Sequence, residues 1–222
     1  WMGRCPACGE WNTMVEAPQE TRKAASPSAV RGQASTDRKP QSLKEINYSE
    51  EARLSLGMAE VDRLLGGGIV PGSLVLIGGE PGIGKSTLSL QIPLHCKGLK
   101  TLYVTGEESA KQVKMRAERL GGEDADCLIF CETRIEDVIA EADRIRPDLM
   151  IVDSVQTMFT DSVESTPGSV SQIKEVAAAL LRFAKDSGVP VILIGHITKD
   201  GYIAGPKILE HIVDVVFQFE GD

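Results

Sequence analysis

The stretch Gly79-Glu80-Pro81-Gly82-Ile83-Gly84-Lys85-Ser86-Thr87 matches G-x-x-x-x-G-K-[ST], follows an apolar run over 74–77 and opens a helical stretch over 85–95. A strand that ends in such a loop and resumes as a helix is the context the motif requires. Its glycines let the backbone curl around phosphate oxygens, and successive N–H groups with the helix N-terminus supply positive potential. The loop is therefore a candidate nucleotide site. Lys85 is placed to reach the β and γ phosphates, Ser86 to ligate Mg²⁺, and Thr87 to pack or touch phosphate. A Gly-rich turn with a chance Lys-Ser explains the context less well.

The rest of the chain agrees with a phosphate-binding α/β domain. Strand-like runs over 74–77, 101–105, 127–130, 149–153, 191–195 and 213–219 alternate with helical stretches over 85–95, 109–120, 135–146 and 171–186. The runs are almost continuously apolar, which predicts a mostly parallel sheet buried on both faces by helices. In the last helical stretch Ile173, Val176, Ala177, Leu180, Leu181 and Ala184 recur at helical spacing and give one apolar face. Pro93 falls inside the first, where its ring and missing N–H should kink or shorten the helix.

At 222 residues the chain exceeds the roughly 150 expected per domain, so one domain plus an appendage is expected. Residues 1–16 form a Cys, Trp and Gly cluster, and 17–42 are Ala, Ser, Pro, Gln and basic residues that read as a flexible linker. The main domain spans 43–222. The start at Trp1 and the stop after an apolar run read as those of a fragment, with no signal peptide. No apolar run approaches the roughly 20 residues of a membrane helix. The formal net charge of −8 argues against a uniformly basic nucleic-acid coat, though local basic loops remain open. Five cysteines point to a reducing compartment, with cytoplasm the default. Cys5-Pro6-Ala7-Cys8 is half of a zinc knuckle, and Cys96, Cys127 and Cys131 read as buried apolar residues.

A phosphate loop needs a carboxylate at the end of a neighbouring strand, and Leu149-Met150-Ile151-Val152-Asp153 supplies one, with Asp153 holding Mg²⁺ through water. Glu107 and Glu108, just past the second strand, are equally readable as groups for an attacking water or, with Ser109, as the acidic opening of the next helix. His196, at the end of the fifth strand, is a γ-phosphate contact or an ordinary histidine. Two loops, 156–168 and 198–207, read as exposed. In the second, Lys199, Tyr202 and Lys207 suit charge and stacking contacts with single-stranded nucleic acid as well as they suit a plain surface loop.

The ordered set Trp1 to Met14, Glu60 to Ser73 before the phosphate loop, Gly106-Glu107-Glu108-Ser109, Val152-Asp153-Ser154-Val155-Gln156-Thr157 and Gly195-His196-Ile197-Thr198-Lys199-Asp200-Gly201 with Ala204-Gly205-Pro206 resembles the bacterial RadA (Sms) DNA repair ATPases, relatives of RecA and the replicative hexameric helicases. The resemblance implies a RecA-type core that hydrolyses ATP with Mg²⁺ under stimulation by single-stranded DNA. It further implies ring-shaped oligomers, a hexamer, working with a recombinase on branched intermediates. It makes Lys85, Glu107, Glu108 and His196 the catalytic set, with Glu107 the main glutamate, and Lys199, Tyr202 and Lys207 the DNA contacts. A four-cysteine zinc finger in the intact protein would use Cys5 and Cys8, its first pair being absent here; a Lon-protease-like domain would follow Asp222. The competing expectation is a nucleotide-switched binding module that moves no DNA. A GTPase is disfavoured because Lys199-Asp200 breaks the Asn-Lys-x-Asp spacing, and a transporter ATPase because no Leu-Ser-Gly-Gly-Gln occurs.

Overall fold

A computed structural model describes residues 42, 53–96, 98–122, 125–196 and 209–220. The chain divides between residues 48 and 49, and the architecture below is that of the second unit. The element order is α1 (Ala59–Leu64), β1 (Leu74–Gly79), α2 (Lys85–His95), β2 (Thr101–Thr105), α3 (Ala110–Arg119), β3 (Cys127–Phe130), α4 (Ile135–Ile145), β4 (Leu149–Asp153), α5 (Val170–Ser187), β5 (Val191–His196) and β6 (Val215–Phe219). The strands form one sheet in the order β3-β2-β4-β5-β1-β6, and every pairing is parallel. Strands β1, β2 and β4 are buried at every position, as their unbroken apolar sequence requires.

Side chains on alternate positions feed two separate cores. On one face Leu74, Leu76, Val152 and Leu193 meet Ile135, Val138 and Ala142 of α4 and Ile173, Val176, Ala177 and Leu180 of α5. On the other, Val75, Ile77, Ile151 and Ile194 meet Leu90 and Ile92 of α2, Val113 and Ala117 of α3, and Leu56 and Ile69 beside α1. Phe183 joins the buried face of α5, whereas Leu181, expected there, is only half-buried. The helix starts one residue before its sequence-based limit because the Ser169 hydroxyl accepts from the Gln172 N–H.

Several expectations change. Helix α2 runs through Pro93 and ends two residues later, so the proline sits in the last turn. Strand β6 begins at Val215 rather than 213, because the Ile212 and Val213 N–H groups close a turn on the Leu209 carbonyl; Asp214 then joins β1 through its N–H to the Leu74 carbonyl at 2.9 Å, and its carboxylate accepts from the Leu74 N–H at 2.8 Å and from Lys185 at 2.9 Å. Helix α1 escaped the sequence reading, as it is six residues long and buries none. Cys96 is buried, Cys127 half-buried and Cys131 exposed, so only the first behaves as expected. Burial pushes the Cys96 thiol up to about 11 and the Cys127 thiol up to about 12.

The 156–168 loop is not a simple exposed loop: Met158 and Thr160 are buried. The Gln172 side-chain amide accepts from the Thr160 N–H and donates to the carbonyls of Thr160, Val163 and Ser165, which ties the loop to the first turn of α5. Gln172→Leu keeps the volume but strands these backbone groups. It is expected to lower the urea midpoint by an amount equivalent to roughly 1–3 kcal/mol, with an unchanged slope and faster amide exchange confined to 160–165.

Candidate active site

All the described candidate groups lie at the C-terminal ends of four neighbouring strands, β2, β4, β5 and β1, where parallel sheets bind ligands. The loop after β1 turns into α2 at Gly84, whose φ of 105° is one that side-chain-bearing residues rarely adopt. Nothing lies within 4 Å of where a Cβ on Gly84 would stand, so the cradle is open above the helix start. Helix α2 has no side-chain cap, which leaves its first N–H groups directed at that opening. The Lys85 ammonium, on a residue 3% exposed, donates to the carbonyls of Gly79 at 2.8 Å and Glu80 at 2.7 Å and curls the loop back on itself. Burial pulls its pKa below the ordinary lysine value, and the Asp153 and Glu107 carboxylates partly oppose this.

Strand β2 ends in a tight turn. The Thr105 hydroxyl accepts from the N–H groups of Glu107 and Glu108, and the Gly106 N–H donates to the Asp153 carbonyl at 3.1 Å. A Cβ on Gly106 would lie 2.4 Å from the Thr157 hydroxyl, so only glycine fits where this turn crosses the loop after β4. The turn sends the two glutamates apart. Glu108 ion-pairs with Arg116 of α3. Glu107 turns toward the sheet, where Oε1 accepts from the Ser154 hydroxyl at 2.5 Å and from His196 Nε2 at 3.0 Å. That partner places a proton on Nε2, and among the described residues His196 Nδ1 is buried without a hydrogen bond. Ser109 meanwhile caps α3 in a capping box with Gln112, and both glutamates precede the helix.

The His196 hydrogen bond above all, then that of Ser154 and the charges of His196 and Lys85, outweigh desolvation and hold the Glu107 carboxyl down at about 2. A carboxyl depressed in the folded state contributes stability that is fully present above its unfolded value near 4.5 and is lost progressively as pH falls from there through about 2. Glu107 is thus ionised across neutral pH. In a ¹³C-carboxylate titration its resonance is expected to stay at the ionised position down to pH ~4, whereas in His196→Ala it begins to titrate at higher pH; an unmoved curve would show that His196 is not the cause.

Asp153 ends β4, 3% exposed; Oδ2 accepts from the Tyr103 hydroxyl at 2.7 Å, while Oδ1 is buried without a partner among the described residues. A hard carboxylate oxygen held ready, together with the Ser86 hydroxyl on the first turn of α2, is a donor set that suits Mg²⁺. Gln156 Nε2 donates to the His196 carbonyl at 3.2 Å and links the ends of β4 and β5. Tyr103 and Arg116 were not singled out from the sequence, and Ser154 and Gln156 entered only within the motif set that carries the resemblance, with no role assigned. Cys5, Cys8, Lys199, Tyr202 and Lys207 lie outside the described residues.

Residues 40–202 match the family model described as an AAA domain, and residues 1–16 match one described as a rubredoxin metal binding domain. Over its whole length the chain is 46% identical to the DNA repair protein RadA of Bacillus subtilis, 48% to that of Escherichia coli and 49% to that of Salmonella typhimurium. The chain belongs to the AAA domain family, among its RadA-type members. It spans about half the length of the curated RadA relatives it matches, 49% of each of these three. A solved DnaB-like replicative helicase, described with its interactions with primase, superposes with a TM-score of 0.62 at 14% identity, covering 77% of this chain and 52% of the helicase. This likeness supports the RecA-type P-loop core of this RadA-type chain. No helix among the described residues is long and apolar enough to cross a membrane.

Proposed function

We propose that this chain is the motor portion of a DNA-dependent ATPase that acts in DNA repair and homologous recombination, hydrolysing ATP as it processes single-stranded or branched intermediates. The observation that carries the reading is the Glu107, Ser154 and His196 cluster, joined through one carboxylate oxygen at the strand ends beside the phosphate loop. In this mechanism the N–H groups at the start of α2 and the Lys85 ammonium bind the triphosphate, whose oxygens are stronger acceptors than the carbonyls of Gly79 and Glu80. Ser86 and Asp153 would hold Mg²⁺, which when bound neutralises charge on the β and γ phosphates. Glu107, ionised and fixed on two donors, orients the attacking water; its low basicity suits alignment better than early proton removal. His196 shares a carboxylate oxygen with that site and carries a change at the γ phosphate to the end of β5. Glu108, tied to Arg116, supports the turn.

DNA contact is assigned to Lys199, Tyr202 and Lys207, and zinc in the intact protein to Cys5 and Cys8 with two further ligands. The full-length protein is proposed to form a homo-oligomeric ring, a hexamer, that works with a recombinase in the cytoplasm. The test is steady-state ATP hydrolysis by the full-length protein and this chain, with and without single-stranded DNA, across a salt series. Stimulation that fades with salt supports the motor; ATP binding without any response to DNA supports a nucleotide-switched module instead. Replacing both Lys199 and Lys207 by Ala is expected to reduce the log–log salt slope of DNA binding by about 1 to 1.5 and leave ATP affinity unchanged. An unchanged slope would move the DNA site elsewhere.

A further inference from the structure

We propose that Tyr103 is the positioning residue for the metal site, fixing which oxygen of Asp153 is presented to a divalent cation. The inference rests on the reading of Asp153 as the Mg²⁺ carboxylate. Tyr103 stands opposite Ile151 in the β2–β4 register, so Tyr103, Ile151 and Asp153 share one face of the sheet and the phenol reaches diagonally toward the strand end. It is a fully buried side chain among Val75, Val113, Ile151 and Ile192. Packing alone would be served by phenylalanine. The hydroxyl is the one polar group of that ring, and it is spent on Asp153 Oδ2 at 2.7 Å.

Its effect on Asp153 follows from the softness of the carboxylate torsion, which is broad and two-fold when unrestrained. With Oδ2 engaged, the plane of the group is fixed and Oδ1 is left as a buried acceptor with no hydrogen-bond partner among the described residues. Buried acceptors are rarely left so, and one placed beside a phosphate loop is poised for an outside donor such as a cation's water. Hydrogen-bond partners that orient a metal's carboxylate commonly contribute on the order of 10–100-fold in metal affinity or activity.

The experiment measures Mn²⁺ affinity by electron paramagnetic resonance on the full chain with ATPγS, for the parent, Tyr103→Phe, Asp153→Asn and the double variant. Tyr103→Phe is expected to weaken Mn²⁺ binding by on the order of 10-fold. Nucleotide affinity in EDTA should be unchanged, and raised Mg²⁺ should restore the hydrolysis rate. In the Asp153→Asn background the same change should add nothing. If Asp153→Asn weakens the metal and Tyr103→Phe does not, the positioning role is overturned while Asp153 keeps its own. If Asp153→Asn leaves Mn²⁺ affinity intact, the reading beneath the proposal fails, and the proposal with it. The parent protein gives a check that needs no variant: the Tyr103 hydroxyl proton should remain hydrogen-bonded and slow to exchange when Mg²⁺ and ATPγS are added. Its release on metal binding would show that Oδ2 turns to the cation, and would overturn the assignment.

Discussion

Lys85→Ala is expected to lose tight ATP binding, with affinity falling by roughly 10–100-fold and turnover falling below detection. The ammonium is the cation held beside the phosphate loop, and charge-assisted hydrogen bonds of this kind contribute about 1.5–3 kcal/mol each. The substitution also removes the positive charge that interacts with the Asp153 and Glu107 carboxylates, both of which raise the lysine's pKa against its burial. The empty loop loses its donations to the Gly79 and Glu80 carbonyls, but Glu80 and Pro81 are exposed and water can replace the ammonium there. The fold should therefore survive, with an unchanged circular dichroism spectrum. Lys85→Arg is a useful companion, because a planar fork cannot occupy a site shaped for a point charge. Isothermal titration with ATP distinguishes the outcomes: parental affinity in Lys85→Ala would remove this loop as the triphosphate site.

Glu107→Gln should bind ATP as the parent does yet turn it over about 10²–10⁴-fold more slowly, the range that a positioned acid–base group supplies. The amide is nearly isosteric, so the loss is one of charge. Glutamine is a weaker acceptor for the Ser154 hydroxyl and His196 Nε2, and it aligns a water less firmly. A quench experiment should recover unhydrolysed triphosphate from the protein. Glu108→Gln, in contrast, breaks an ion pair with Arg116 and should reduce turnover much less. Normal hydrolysis by Glu107→Gln, or a greater loss from Glu108→Gln, would reverse the two roles.

The central strands were legible because parallel, doubly covered strands must be apolar at nearly every position, whereas the edge strands β3 and β6, expected to be buried on both faces, are partly exposed because each has a neighbour on one side alone. The phosphate loop was legible because its residues are contiguous. What the sequence withheld depends on strand order. Ser154 is 47 residues from Glu107 and Tyr103 is 50 from Asp153, and both pairs meet only because β4 lies beside β2 in a fixed register. The Asp-Ser dipeptide at the end of β4 was a usable signal for Ser154, since it sets a hydroxyl beside the proposed metal-site carboxylate at the strand end. The choice between Glu107 and Glu108 was open for the same reason. Only the turn at Gly106, pressed against Thr157, decides which glutamate faces the sheet.

Glu107, Asp153, His196 and Gly79 belong to the ends of four strands that sit side by side, so their separations are set by strand spacing, roughly 4.8 Å per step. Such a row cannot stretch without breaking the backbone pairing of a sheet buried on both faces. In the proposed cycle of ATP hydrolysis these groups would therefore stay nearly stationary and the loss of a phosphate would be expressed at the sheet's rim. The segment after β4, tied down by Gln172 at one end and gripping the end of β5 through Gln156 at the other, is the place where a stationary centre would become movement.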